Sequence, residues 1–323
     1  MNLVIKAKIE QFAKKLGFDL IGFSDITVIP AQAGIYNGWL KKGYCADMDY
    51  LQKTSPRKDL KKILASANTV ISLGINYYYE QKPLKQGHGR VARYAFGRDY
   101  HKIIGKKLKQ LEEFIKTLDP NAETKSYVDT GPILERNFAE KSGLGTVGKN
   151  SCLITKEFGS WVFLSEIITN LKIKPSMSLP RLSCSRKLAS NKKDFPLCGT
   201  CTRCIDSCPM QAIISPGTID ARKCISYLTI ENKKQIPKKF HAILKKSKRL
   251  FGCDICQEVC PHNCRAKENN HPEFHEPPIA TDQLNLKKIL AIKSDAEFLK
   301  LYAGSPLMRA KRKGLQRNAK ILL

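Results

Sequence analysis

Cys198, Cys201, Cys204 and Cys208, followed at once by Pro209, form a C-x2-C-x2-C-x3-C-P run. Three thiolates this closely spaced wrap one iron-sulfur cubane, while the fourth begins a segment that leads to a second cubane. A second run has Cys253, Cys256 and Cys260 before Pro261, with Leu250 where its first cysteine would stand. Cys224 can supply that thiolate from an inserted segment. The spacing predicts two 4Fe-4S clusters, one on Cys198, Cys201, Cys204 and Cys260, the other on Cys208, Cys224, Cys253 and Cys256. A pair of four-cysteine zinc sites is the alternative, but zinc favours two separated pairs over a close triple ending in proline. Cys45, Cys152, Cys184 and Cys264 are left over, and buried cysteines usually pack as small apolar groups.

Two further motifs bear on cofactors. Gly143-Leu-Gly145-Thr-Val-Gly148 satisfies G-x-G-x-x-G, but a dinucleotide site needs that pattern after a strand and before a helix. Here it follows a helical segment, so Gly143 reads as a helix cap. Asp99-Tyr-His101-Lys-Ile-Ile-Gly105 misses by one residue the Asp-x-His-x-x-Gly pattern that places a histidine on the cobalt of cobalamin. His101 reads instead as a first-turn residue of a helix started by Asp99, and a corrinoid bound here is expected to carry no histidine on its cobalt.

The elements that must position these residues follow from periodicity. At 323 residues with 42% hydrophobic content, the chain can bury a large domain and a smaller one, and is not a disordered polymer. Helical spacing marks 5–16, 99–118 and 133–141, and short apolar runs mark strands at 20–23, 69–77, 126–128 and 161–169. From Leu171 to Leu197 the pattern dissolves into Pro, Ser and Lys, a linker or surface loop. The cysteine segment ends in the Pro272 to Pro278 stretch, and one helical piece from Leu284 to Leu301 leads into a basic tail. The fold class expected is α+β with α/β-like alternation.

Charge and termini constrain partners. Lys and Arg total 56 against 29 Asp and Glu, a net charge of +27 that favours a polyanionic partner over a merely solvated basic surface. Arg309, Lys311, Arg312, Lys313, Arg317 and Lys320 concentrate six cations in twelve residues, suited to phosphates rather than to base edges. The opening Met1-Asn2-Leu3-Val4-Ile5-Lys6 meets a charge before any secretory apolar core, and no apolar run of about 18 residues follows. A cytoplasmic protein without a membrane segment is expected, where reducing conditions favour metal ligation of the twelve cysteines over disulfides.

Taken together, several stretches resemble the epoxyqueuosine reductases, the cobalamin-dependent iron-sulfur enzymes of tRNA wobble-base modification. They are Arg93-Tyr-Ala-Phe-Gly-Arg-Asp-Tyr-His101, Val128-Asp-Thr-Gly131, Gly143-Leu-Gly-Thr-Val-Gly-Lys-Asn150 and Cys198-Gly-Thr-Cys-Thr-Arg-Cys204. Arg222-Lys-Cys-Ile-Ser-Tyr-Leu-Thr-Ile-Glu231, Phe251-Gly-Cys-Asp-Ile-Cys-Gln-Glu-Val-Cys-Pro261 and Arg317-Asn-Ala319 extend the match over nearly the whole chain. Thr146 and His262-Asn-Cys264 depart from the family's usual residues.

The resemblance implies a cobalamin-binding domain over 1–170, a loop over 171–197, a ferredoxin-like double-cluster domain over 198–278 and a C-terminal helix with a tRNA-binding tail over 279–323. It implies reduction of epoxyqueuosine to queuosine in the anticodon loop of tRNA, with electrons passing through the clusters to cobalamin. Asp129 matches the family's general acid; read without the family, it is equally a helix cap. A proton-donor role calls for an apolar wall that raises its pKa by roughly two to three units. Arg57, Asp129, Leu153, Lys156 and Ser226 match corrinoid contacts, and Arg309, Lys311, Arg312, Lys313 and Arg317 are the expected tRNA contacts. A donor such as ferredoxin or flavodoxin and a monomeric state are expected. The competing readings are a corrinoid reductive dehalogenase, which is typically exported, and a plain two-cluster electron carrier. The latter leaves the 197 residues before Cys198 without a task.

Overall fold

The computed structural model describes residues 2–28, 30–52, 55–176, 197–275 and 279–323. Cys184, most of the expected 171–197 loop and the end of the Pro272 to Pro278 stretch lie outside the described residues.

The first core is built on an antiparallel sheet. Its strands are β1 (Leu20–Asp25), β2 (Thr69–Asn76), β4 (Thr124–Val128) and β7 (Val162–Thr169), after β3 (His88–Val91) and the short pair β5 (Thr146–Val147) and β6 (Leu153–Ile154) are numbered in chain order. The order in the sheet is β1-β2-β7-β4. β2 is buried over its whole length, because both faces of the sheet are covered. On one face Phe23, Ile71, Leu73, Ile75, Phe163 and Ile167 meet Ile9, Ala13, Ile104, Leu108, Leu111 and Ile115 of the helices Asn2–Lys15 and Tyr100–Leu118. On the other face the helix Glu135–Lys141 lies so close that a Cβ on Gly22 would stand 2.1 Å from the Ser142 carbonyl oxygen, so only glycine fits that strand position.

β8 (Ile213–Ser215) and β9 (Thr218–Ile219) form a hairpin beside the first cysteine run. The second core forms around β10 (Arg249–Phe251) and β11 (Gln283–Asn285), and it takes its middle strand from far upstream. β3 pairs parallel to β10 and antiparallel to β11. Val91 and Ala95 are accordingly buried with Leu250, Phe251, Ile289, Leu315 and Leu322, so the expected linear division at residue 170 is crossed by the 88–95 segment.

The stretch expected as one helix from Leu284 to Leu301 is two, Leu286–Ala291 and Asp295–Tyr302. Ser294 breaks it: its hydroxyl accepts from Glu297 N, and the Glu297 carboxylate accepts from Lys293 N, close to a reciprocal capping box. The basic tail is likewise integral to the fold. The final helix, Lys311–Leu322, buries Leu315, Asn318, Ala319 and Leu322 in the second core. Among the described residues no helix is long and apolar enough to cross a membrane.

Candidate active site at the junction of the two cores

Asp129 leaves the end of β4 in the left-handed region, at φ 57°, a conformation that aspartate and asparagine tolerate better than most residues. Its Oδ2 accepts from the Tyr100 hydroxyl at 3.2 Å and faces His101 Nε2 at 3.5 Å. Both partners come from the first turn of the Tyr100–Leu118 helix, which Asp99 caps by accepting from His101 N at 3.0 Å. Asp99 Oδ1 also lies 2.8 Å from His101 Nδ1. The rings are stacked: Tyr100 lies 4.1 Å from Phe163 on one side and 4.1 Å from His101 on the other. A strand end and a helix start thereby hold an Asp99–His101–Asp129 chain in fixed order.

Burial acts to raise the Asp129 pKa, but His101, Arg136 and the Tyr100 hydroxyl outweigh it and hold the carboxyl below its ordinary value. The carboxylate lies at the mouth of the site with its side chain 55% exposed, facing the hydrogen-bond donors Tyr100 and His101. Burial acts to lower His101, yet the Asp129 and Asp99 carboxylates push it up to about 9. Next to this pair, burial and the Asp129 charge push Glu135 up to about 8. Beneath the Glu135–Lys141 helix, Glu166 is 0% exposed with no hydrogen-bond partner for either oxygen among the described residues, and burial raises its pKa well above the ordinary glutamate value.

Around Asp129, Arg57 is buried; it donates to the Gly131 carbonyl at 3.5 Å and lies 5.7 Å from the Tyr36 ring, behind the Asp129 loop. Arg136 donates to the Ser151 carbonyl at 2.7 Å. Leu153 is a core residue packed with Ala139 and Leu144, Lys156 is exposed in the turn after β6, and Ser226 is half-buried in the helix Ile225–Ile230.

The glycine-rich stretch is a joint and not a dinucleotide loop. It follows the Glu135–Lys141 helix and enters the β5–β6 hairpin, and a Cβ on Gly145 would stand 2.4 Å from the Ile154 carbonyl oxygen. Lys149 then reaches the first cysteine run: its backbone N donates to Cys198 Sγ at 3.5 Å and its Nζ to the Gly199 and Cys201 carbonyls at 2.7 and 3.0 Å. Asn150 donates to the Cys256 carbonyl at 3.4 Å, tying in the second run.

The thiols fall into two neighbourhoods. Burial raises Cys260, followed by the nearby Cys198, Cys204 and Cys201. Cys224 is raised by burial with Cys208 and Cys152 beside it, and Cys256 by burial with Cys152, Cys253 and Cys224 beside it and Cys204 of the other group next. Among the described residues no three His, Cys, Asp or Glu side chains converge tightly enough for one metal ion. A cubane makes no such demand, because each of its thiolates binds a different iron.

The C-terminal cations divide by environment. Arg317 is spent inside the fold, donating to the carbonyls of Leu228, Asn232 and Lys234. Arg309 makes a bidentate pair with Glu231 at 2.8 and 2.9 Å, and Arg312 pairs with Asp295 at 2.7 Å. Lys311, Lys313 and Lys320 are exposed.

Sequence reasoning missed the contacts of Tyr100 and His101 with Asp129, and the buried Glu166. The helix pattern places Tyr100 and His101 at a helix start, but nothing local connects them to a carboxylate 29 positions after Tyr100.

Comparison with known proteins agrees with this layout. The family model described as epoxyqueuosine reductase QueG, DUF1730, matches residues 57–130, and a 4Fe-4S double cluster binding domain matches 197–263, so the chain carries a two-cluster iron-sulfur module. An epoxyqueuosine reductase of Gloeobacter violaceus is 39% identical over 322 residues, 98% of this chain and 95% of that protein. One of Pseudomonas aeruginosa is 36% identical over 310 residues, 94% of this chain and 80% of its own. A solved epoxyqueuosine reductase bound to an epoxyqueuosine-modified tRNA-Tyr stem loop superposes with a TM-score of 0.86 at 32% identity, covering 100% of this chain and 82% of that one. The Bacillus subtilis enzyme, solved with its catalytic aspartate loop swung out of the active site, gives a TM-score of 0.84 at 30% identity, with 100% and 82% covered. With identity above 30% sustained over nearly the whole length of this chain, the chain belongs to the epoxyqueuosine reductase family.

Proposed function

We propose that the chain reduces epoxyqueuosine to queuosine at the wobble position of tRNA, with Asp129 delivering protons to the departing epoxide oxygen. The observation that carries this reading is the placement of Asp129: an exposed carboxylate fixed by Tyr100 and His101, one loop away from the joint that touches both cysteine runs.

The chemistry of the donor set fits two four-iron cubanes, with Cys198, Cys201, Cys204 and Cys260 as ligands of one and Cys208, Cys224, Cys253 and Cys256 of the other. The eight thiols supply four sulfurs to each, and the close triple Cys198, Cys201 and Cys204 is the pattern such a cluster needs. Cobalamin would lie against Arg57, Asp129, Leu153, Lys156 and Ser226. Both ring nitrogens of His101 face carboxylates, so its imidazole is not on offer to a cobalt, which fits a corrinoid held by packing and backbone contacts. When bound, these groups supply single-electron transfer and carbon–oxygen bond cleavage.

The functional division runs from a cobalamin-binding unit over 1–170, through the 171–197 loop and a double-cluster unit over 198–278, to the C-terminal 279–323. The protein acts as a cytoplasmic monomer. The net charge of +27 suits both a tRNA and an acidic electron donor of the ferredoxin or flavodoxin type. Lys311 and Lys313 reach anticodon-loop phosphates directly, Arg309 and Arg312 do so from their ion pairs, and Arg317 contributes by holding the helix in place.

The deciding experiment incubates anaerobically prepared protein with cobalamin, a low-potential reductant and tRNA containing epoxyqueuosine, read by nucleoside mass spectrometry. Queuosine should accumulate. Persistence of epoxyqueuosine in a sample that retains both clusters and binds cobalamin refutes the proposal.

A further inference from the structure

We propose that His101 is the proton store that loads Asp129, so that the Asp99–His101–Asp129 chain, and not Asp129 alone, is the acid of this site. The inference rests on the proposed reduction. Removing an epoxide oxygen as water breaks two carbon–oxygen bonds, forms one carbon–carbon π bond and uses two electrons and two protons. One carboxyl holds one proton and must be reloaded within the same turnover.

The geometry provides the path. Asp99 Oδ1 engages both the backbone N and the Nδ1 of His101, at 3.0 and 2.8 Å, which fixes the ring and keeps a proton on Nδ1. Nε2 is then turned to Asp129 Oδ2 at 3.5 Å, and it is shielded from solvent with no closer hydrogen-bond partner among the described residues. Stacking on Tyr100, itself stacked on Phe163, prevents the ring from turning away. The transfer breaks the Nε2–H bond and forms an Oδ2–H bond, with no electron changing hands. Asp129 passes the proton to the substrate oxygen, and solvent reprotonates the imidazole through a side chain 34% exposed. His101 acts through Asp129 and is not itself placed on the reacting atoms.

The groups facing His101 agree. Asp99 and Asp129 hold it charged against the effect of burial, and the site's other charges include Lys102 one residue on, Arg136 and Glu135 on the neighbouring helix, and Arg57 behind the Asp129 loop. Because the pair raises His101 and lowers Asp129, the transfer from Nε2 to Oδ2 is uphill in the resting site and proceeds as the substrate oxygen takes the proton from Asp129.

Two measurements test the idea. The first follows the imidazole of His101 by NMR in the protein without substrate. Its midpoint should lie near pH 9 and fall in both Asp129→Asn and Asp99→Asn. A wild-type midpoint at the ordinary value of about 6.5 overturns the proposal whatever the activity. The second compares single-turnover reduction by wild type and His101→Gln between pH 6 and 9. Wild type should stay level until near pH 9, whereas the variant should lose about tenfold per pH unit, as expected when a lone carboxyl is loaded from bulk solvent. Parallel profiles, offset by a constant factor, would make His101 a structural residue only. A raised midpoint in a wild-type chain that never reduces epoxyqueuosine would instead sink the proposed substrate while leaving the proton pair intact.

Discussion

Arg93 and Asp254 form a buried ion pair, 3.2 Å long, that joins the segment after β3 to the second cysteine run. The Asp254 side chain is 3% exposed and also accepts from Arg93 N at 2.8 Å, while the guanidinium packs 4.8 Å from the Trp161 ring and bonds Glu258 at 2.9 Å. Replacing Arg93 with Met keeps much of the bulk but strands a buried carboxylate, at a cost of about 3–5 kcal/mol. Denaturant unfolding of Arg93→Met should show that loss. A shift below about 1 kcal/mol would mean that water reaches Asp254 freely.

Asp129→Asn separates acid from scaffold. Asparagine suits φ 57° and can still accept from Tyr100, but it carries no titratable proton. Single-turnover reduction should fall on the order of 100-fold or more with cluster content and tRNA affinity unchanged. A near wild-type rate would assign the proton to another group.

Cys224→Ala addresses the inserted ligand. Wild-type protein prepared anaerobically should hold about eight irons, and the variant should lose the signal of one cluster alone. An unchanged iron content would show that another thiol, Cys152 being the neighbour of Cys224 and Cys256, serves in its place.

Glu166 is predicted to lower stability at neutral pH. Burial raises its pKa well above the ordinary glutamate value, so the folded chain keeps a proton that the unfolded chain releases. The unfolded state then binds fewer protons, and stability falls as pH rises from about 4.5 towards the folded value. Glu166→Gln removes the ionisation, should raise Tm at pH 7 by about 2–4 °C for each kcal/mol recovered, and should flatten the decline between pH 5 and 8. A lower Tm for the variant at pH 7 than at pH 5, with the wild-type slope retained, would place that slope on Glu135 instead.

The exposed tail cations allow a cleaner test than the whole cluster. Lys311→Gln with Lys313→Gln leaves the Arg312–Asp295 ion pair of the final helix intact, and neutralising two proposed phosphate contacts should flatten the log–log salt dependence of tRNA binding by roughly 1.4. Arg317→Gln should instead lower Tm, since its guanidinium bridges the carbonyls of Leu228, Asn232 and Lys234. An unchanged salt slope in the double variant would put the RNA elsewhere.

What the sequence reveals here depends on distance along the chain. Cysteine spacing is local, and so is the Asp99 cap, which begins its helix within one residue of the expected start. The break at Ser294 was equally local, written as Ser294 and Glu297 three residues apart, yet the apolar spacing through 284–301 conceals it. By contrast, the pairing of β3 with β10 depends on residues more than a hundred positions away, and no periodicity encodes a partner. The same holds for the lowered Asp129: its acidity is set by Tyr100, His101 and Arg136, which meet only when sheet and helices have packed.

The borrowed strand also has a consequence for biosynthesis. β3 leaves the ribosome early, but β10 and β11, between which it lies, are complete only after Asn285 has been made. At about 5–20 residues per second, the nascent chain exposes an unpaired β3 edge for roughly 10–40 s. During that interval Val91 has no core to enter, since Leu250, Phe251 and Leu322 are still to come. The nascent protein carries an open strand edge over that window, and synthesis of a fragment ending before residue 249 leaves β3 an open edge prone to association with other chains.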